Sequence, residues 1–236
     1  MRKFAAYLHT IDPAVEVPPP GVFPARRHRP IPHLWSQGDI CRLLEGARAL
    51  RPPLRAATHE TLFGLLAASG MRVGEAVELQ RDDVDLGAGI VTIRQAKFDR
   101  SRLVPLHPSA TEALSRYAAE RDRLCPRPRS NTFFVSSIGT ALNRSGVGKT
   151  LRQITIAMGI RTATVRPRVH DLRHSFAVQT LIGWHQSGVG VDQQIGVLST
   201  YLGHISPAGT YWYLSASPEL MELAAERLHA RFGAAR

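Results

Sequence analysis

Apolar residues recur with a helical period along most of the chain from residue 31 onward, and this pattern limits the possible folds more than any other feature. Helices are predicted at about 36–50, 55–69, 108–124, 143–158, 171–183, 191–202, 207–214 and 218–232. One hairpin interrupts them, with strands at 90–94 and 102–105. The sequence therefore predicts an α+β fold that is mostly α-helical with a small antiparallel β-sheet.

The first 30 residues differ from the rest. Residues 1–10 place Phe4, Tyr7 and Leu8 on one helical face, but so short a helix is marginal alone. Residues 11–30 form a proline-rich basic linker, with six prolines between residues 12 and 30. We therefore expect residues 1–10 to be the remnant of an N-terminal helical domain and residues 31–236 to form one catalytic domain.

Charge limits the class of partner. The formal net charge is +11, and such an excess favours a polyanion, with nucleic acid ahead of a membrane surface. The two cysteines form neither a metal cluster nor a disulfide framework. There is no apolar stretch of the roughly 20 residues that a membrane span needs, and no secretory signal, so a cytoplasmic protein is expected.

Two basic residues stand at positions where a phosphate could bind. Arg72, in "SGMRVGE", follows a glycine bend at a helix start, where a cation opposes the helix dipole unless an anion is also present. The alternative is an ion pair with Glu75 or Glu78. Lys97 lies at the tip of the hairpin, where it could deliver a cation into a groove or be an ordinary exposed turn residue.

The segment "HDLRHSFA" at 170–177 concentrates polar groups before an apolar helix. His170 and Arg173 are three residues apart and share a helical face. Asp171 is expected to cap the helix start, and His174 to be a core histidine.

The segment "YLGHISPAGTYWYL" contains His204 and two tyrosines, Tyr211 and Tyr213. A glycine and a histidine at a helix end can be a simple C-cap, and three successive aromatic residues can be core packing. Each of these features is weak by itself.

Taken together and in order, the features resemble the catalytic domain of the tyrosine recombinase (phage integrase) family, over about residues 31–231. The family has an arginine, a lysine, a His-x-x-Arg pair, a His or Trp, and a tyrosine. The matching residues are Arg72, Lys97, His170, Arg173, His204 and Tyr213. Tyr213 has the family's nine-residue offset from the "LGH" histidine, whereas Tyr211 does not. The "RLVPL" at 102–106 matches the family's hairpin, and "GVGKT" at 146–150 lacks the spacing of a phosphate-binding P-loop.

The resemblance implies a site-specific recombinase, integrase or transposase that cleaves and rejoins DNA through a covalent 3′-phosphotyrosine. Tyr213 would be the nucleophile and His170 its proton acceptor. Arg72, Arg173 and His204 would bind the phosphate, and Lys97 would protonate the leaving 5′-oxygen. No cofactor and no metal are implied. The expected partner is double-stranded DNA, bound by a homo-oligomer, a tetramer.

Two other functions stay open at this point. A type IB topoisomerase shares the chemistry but relaxes supercoils without a target sequence. Residues 1–10 are also consistent with the end of the family's core-binding domain, so the chain could be a truncated DNA-binding remnant without independent activity. The apolar stripe of the last helix, at about 218–232, could dock on a neighbouring subunit or on its own core.

Overall fold

The structure is a computed structural model that describes residues 2–19, 32–94, 101–204, 208–214 and 218–232. The chain divides into two compact units, Met1–Ile31 and Pro32–Arg236. The first unit contains α1 (Arg2–Ile11), with Phe4 and Tyr7 exposed. Its origin as the end of a core-binding domain stays a prediction, and residues 20–30 of the predicted linker lie outside the described residues.

The second unit is mostly helical with a small antiparallel sheet, which confirms the predicted fold class. Its helices are α2 (Gln37–Arg48), α3 (Pro53–Ser69), α4 (Val73–Glu78), α5 (Pro108–Leu124), α6 (Arg144–Ala157), α7 (Val169–Gln186), α8 (Val191–Leu202), α9 (Ala208–Leu214) and α10 (Pro218–Phe232). A short 3₁₀ helix spans Arg81–Asp83. None of the helices in the described ranges is long and apolar enough to cross a membrane.

The sheet has three strands in the order β1 (Val84–Asp85), β2 (Ile90–Ile93) and β3 (Arg102–Pro105), all antiparallel. The predicted hairpin is confirmed, whereas β1 was not predicted. Val91 pairs with Val104, and both are buried on one face, while Leu103 points to solvent on the other. The sheet thus packs one face on the core, as period-two alternation requires.

Two hydrophobic clusters meet at α7. The first contains residues of α2, α3, α5, α6 and the sheet, and it includes Leu172 at the start of α7. The second contains residues of α8, α9 and α10 packed on the later turns of α7, from Ala177 to Ile182. α7 therefore connects the two clusters, and α10 packs on the core of its own chain through buried Leu220.

The start of α7 lies two residues earlier than predicted. Arg168 is its N-cap, and the Arg168 amide donates to Asp171 Oδ2 at 2.8 Å. Asp171 is buried and also accepts from the Arg168 side chain. Asp171 therefore caps the helix, as expected, but from the third position of the first turn.

Candidate active site

Arg72 is positioned by a helix end and a helix start. Gly70, whose φ of 61° lies in the left-handed region, is the C-cap of α3, and Arg72 is the N-cap of α4. Glu75, in the first turn of α4, accepts from the Arg72 amide at 2.8 Å and from Nη1 at 2.7 Å. Arg72 Nη2 donates to the Gly203 carbonyl at 2.9 Å. The ion pair with Glu75 therefore exists, and it fixes the guanidinium beside the end of α8.

Arg173 carries its charge in the interior and is only 2% exposed. Its Nη1 donates to the Gly70 carbonyl at 2.8 Å and its Nη2 to the Leu202 carbonyl at 2.7 Å. Both carbonyls lie at the C-terminal ends of helices, where the helix dipole favours a cation. Among the ion pairs of the described residues, none involves Arg173. Burial and the nearby Arg72 charge lower its pKa, but a guanidinium stays protonated in proteins.

His204 follows Gly203, the left-handed C-cap of α8. Its Nδ1 lies 2.6 Å from Thr210 Oγ1 of α9. Burial, together with the charges of Arg173 and Arg72, lowers the pKa of His204 to about 4, so the ring is neutral at pH 7. When the Thr210 hydroxyl donates to Nδ1, the ring proton resides on Nε2, which can then donate to an anion.

The two tyrosines of α9 have different environments. Tyr213 is 2% exposed, and its hydroxyl lies close enough to the Arg173 guanidinium for the two groups to interact electrostatically. Its ring stacks on His204 at a centroid distance of 6.0 Å. Tyr211 is 51% exposed. The fold thus brings Tyr213, and not Tyr211, to the buried arginine.

His170 and His174 lie on the first turns of α7. His174 is buried, with its ring 4.6 Å from His170 and 5.4 Å from Tyr213 between centroids. This burial agrees with the expected core position. Desolvation and the charge of Arg173 lower the pKa of His170, so its neutral form, which can accept a proton, is favoured near pH 7.

A cleft of about 800 Å³ opens beside Arg72 and His170. Arg94 and Arg144 also line it, each paired with a carboxylate. The cleft leaves Arg72 accessible to solvent, and the carboxylates that are paired with these arginines also line it. Lys97 lies outside the described residues, so its predicted role stays a prediction.

Sequence reasoning missed two residues that support the site, Arg102 and Thr210. The Arg102 guanidinium donates two hydrogen bonds to the Glu75 carboxylate, and the two residues lie 27 residues apart on different elements. No local spacing connects such a pair. Thr210 was detectable in principle, because it lies one helical turn before Tyr213 and therefore on the same face of α9.

A model of the phage integrase family matches residues 38–219. The chain belongs to the phage integrase family. This integrase family consists of tyrosine recombinases, enzymes of site-specific DNA recombination.

Relatives of this integrase-family chain match nearly its whole length. "Putative integrase/recombinase y4rB" of Sinorhizobium fredii is 41% identical over 98% of this chain and 76% of the relative. Tyrosine recombinase XerD of Oceanobacillus iheyensis is 30% identical over 93% of this chain and 68% of the relative.

Solved structures of relatives have the same fold. The crystal structure of XerA recombinase is 25% identical, with a TM-score of 0.67 over 96% of this chain and 72% of that one. XerH site-specific recombinase, bound to its difH substrate after cleavage, is 25% identical, with a TM-score of 0.64 over 83% of this chain and 53% of that one. A lambda integrase dimer bound to a COC′ core site is 18% identical, with a TM-score of 0.61 over 90% of this chain and 57% of that one, and it shows the fold alone.

Proposed function

We propose that the chain cleaves and rejoins double-stranded DNA at specific sites, with Tyr213 as the nucleophile. One observation carries this proposal. The buried Tyr213 lies close to Arg173, and the Arg173 guanidinium donates to the Leu202 carbonyl. Arg72 donates to the next carbonyl along the chain, that of Gly203. Two guanidiniums held on adjacent carbonyls, one of them close to the tyrosine hydroxyl, suit the attack of that hydroxyl on a phosphodiester.

In the proposed cleavage step, Arg72 and Arg173 bind the non-bridging oxygens of the scissile phosphate. Both arginines keep their protons as charge develops on these oxygens. The neutral His204 ring, with Nδ1 engaged by Thr210, donates a further hydrogen bond from Nε2 to the same phosphate. These groups lower the barrier because they are already oriented before the reaction begins.

Two proton transfers complete the step. The Tyr213 hydroxyl gives its proton to neutral His170 as the phosphorus–tyrosine bond forms. The bond from phosphorus to the 5′-oxygen breaks, and Lys97 protonates the leaving oxygen. Rejoining is the reverse reaction by a 5′-hydroxyl. The phosphotyrosine conserves the phosphodiester bond energy, so rejoining needs no nucleotide hydrolysis.

We further propose that the chain acts on DNA as a homo-oligomer, a tetramer. The XerH and lambda integrase structures are complexes with DNA, the latter of a dimer, and these relatives support a DNA-bound oligomer. Two duplexes with two cleavage sites each would occupy four such active sites. Mass measurement of the complex on its target DNA checks the stoichiometry.

The first prediction tests the nucleophile. Tyr213→Phe removes one hydroxyl, so folding and DNA binding should persist while covalent attachment is lost. Tyr211→Phe, the matched control two residues earlier, should retain attachment. Binding selection from a random duplex library first supplies the target site. Nicked duplexes that carry this site then trap the covalent complex, which denaturing gel electrophoresis resolves.

Three outcomes of this test would contradict parts of the proposal. Trapping by Tyr213→Phe but not by Tyr211→Phe would move the nucleophile to Tyr211. Binding without trapping by the parent chain would favour a DNA-binding remnant. Relaxation of supercoiled plasmid that lacks the selected site would favour topoisomerase activity.

A further inference from the structure

One arginine that the proposed chemistry does not use connects three elements of the site. Arg102 is the first residue of β3 and is 13% exposed. Its Nη1 and Nη2 donate to the two carboxylate oxygens of Glu75 at 3.0 and 2.8 Å. Its Nε donates to the Tyr201 carbonyl in the last turn of α8 at 3.0 Å. Arg102 therefore ties the hairpin to α4 and to the helix that precedes His204.

The contact with α8 is close. Gly203 has a φ of 66°, and a Cβ built at this position would lie 2.6 Å from Arg102 Nη1. A side chain at position 203 would therefore displace the Arg102 guanidinium from this place. The Gly203 carbonyl in turn accepts from Arg72. Arg102 and Arg72 thus contact the same turn.

Glu75 is shared between these two arginines. Besides the fork from Arg102, it accepts from the amide and from Nη1 of Arg72. Burial raises the pKa of Glu75, and the hydrogen bonds from Arg102 and Arg72 outweigh burial, so its pKa is lowered overall. The carboxylate is therefore ionised at neutral pH and carries one negative charge between two guanidiniums.

This sharing determines how much positive charge Arg72 can offer to a phosphate. Two guanidiniums and one carboxylate leave one net positive charge, and the adjacent Arg173 adds another. Without Arg102, Glu75 would be the counter-ion of Arg72 alone. That pair would be neutral, and it would hold Arg72 more tightly in the half-buried site.

We propose that Arg102 is a positioning residue for strand cleavage, which holds Glu75 so that one carboxylate orients Arg72 without neutralising it. This inference rests on the proposed function, since it concerns the rate at which Tyr213 attacks. Arg102 itself does not touch the DNA, because its guanidinium is enclosed by Glu75, Tyr201 and Gly203.

The second prediction tests Arg102 by the single-turnover rate of covalent trapping on the nicked duplex. Arg102→Met should slow trapping by about 10- to 100-fold, the range typical when a partner that orients a ligand is lost. DNA affinity should stay unchanged. Arg102→Lys retains the charge but not the fork, so its rate should be intermediate. Arg81→Met is the matched control, because it breaks a similar bidentate pair, with Asp122, and removes the same positive charge. It should trap DNA at the wild-type rate.

Neutralising the carboxylate separates the electrostatic role from simple support. Glu75→Gln combined with Arg102→Met should trap DNA faster than Arg102→Met alone, because no carboxylate remains to neutralise Arg72. A double variant that is as slow as the single one, or slower, would overturn the inference, as would a wild-type rate for Arg102→Met. Thermal unfolding shows whether Arg102→Met is folded. If it is not, the trapping rate of Arg102→Lys is compared with that of Arg102→Lys combined with Glu75→Gln, and the double variant should again be the faster of the two. If the wild-type chain traps no DNA, the proposed function fails rather than this inference.

Discussion

Two arginines, Arg121 and Arg173, are almost fully buried but have different partners. Arg121 is buried in the first hydrophobic cluster, where it pairs with Asp122, donates to the Phe133 carbonyl and lies over the Tyr117 and Phe133 rings. Arg173 is equally buried, but main-chain carbonyls hold it. A buried charge without a carboxylate is costly unless an anion arrives. The absence of a carboxylate partner among the described residues, rather than burial alone, supports the proposal that Arg173 binds an anion.

Sequence reasoning could select these site residues only by their order and spacing. The interval from His204 to Tyr213 distinguishes Tyr213 from Tyr211, and their burial agrees with that choice. Spacing along the chain cannot find a partner that arrives from another element, such as Arg102 at Glu75. That information exists only after β3, α4 and α8 have packed together.

The third prediction concerns His174, whose buried Nδ1 has no hydrogen-bond partner among the residues that the structure describes. Desolvation, then the neighbouring His170, lowers the pKa of His174 from 6.5 to about 4. Because the native state binds its proton less readily than the unfolded state, His174 lowers stability as pH falls from about 6.5 to 4. Between pH 7 and pH 5 its contribution should amount to about 2 kcal/mol of the free energy of unfolding.

Urea unfolding of the wild type and of His174→Gln at both pH values measures this contribution. The variant should lose about 2 kcal/mol less than the wild type on acidification. His204, whose pKa is also lowered to about 4, is present in both proteins and cancels in the comparison. An equal loss in both proteins would mean that His174 titrates normally.

Among the secondary-structure elements, most helices could be predicted from the sequence because the helical repeat of their apolar residues extends over several turns. The predicted bounds of α5, α8 and α10 agree with the structure. β1 was missed because two residues are too few to show an alternation. The start of α7 was misplaced because arginine is not a typical N-cap residue, so the capping interaction between Arg168 and Asp171 was not apparent.

The fourth prediction concerns the turn between α3 and α4. Gly70→Ala places a side chain at a φ of 61° and brings its Cβ to 2.4 Å from the Phe176 ring. The left-handed conformation alone costs about 1 kcal/mol or more. Because the Gly70 carbonyl anchors Arg173, covalent trapping should slow as well.

Gly183→Ala in α7 is the control for this turn. Gly183 lies within the helix, and a Cβ there would meet nothing within 4 Å. Alanine should therefore raise the free energy of unfolding by about 0.5–1 kcal/mol. Urea unfolding of both variants measures the difference. Equal effects of the two substitutions would show that the turn does not require glycine.

At the scale of the whole molecule, α7 is the element on which the site depends. It carries His170 and Arg173 on its first turns and packs against α8, α9 and α10 farther along. Because α10 packs on α7 in the same chain, the second cluster encloses Tyr213 without a neighbour. Docking of α10 on another subunit stays a prediction.

The fifth prediction concerns the net charge of +11, which should make DNA binding steeply dependent on salt. Arginines that neutralise phosphates release counter-ions, and six to ten such contacts weaken binding by about 10³- to 10⁵-fold between roughly 50 and 200 mM salt. Binding constants measured by fluorescence anisotropy across a salt series give the slope. A nearly flat response would rule out binding through phosphate contacts.

Substitution of two equally exposed arginines, measured in the same salt series, tests which surface binds the DNA. Arg94 lines the cleft beside Arg72 and His170, whereas Arg116 lies on α5, and the side chain of each is 67% exposed and paired with a carboxylate. If DNA follows the cleft, Arg94→Gln should reduce the logarithmic salt slope by about one, the value for one lost phosphate contact. Arg116→Gln removes the same charge and should leave the slope unchanged. Equal reductions would instead show that net charge alone, rather than the cleft, determines DNA binding.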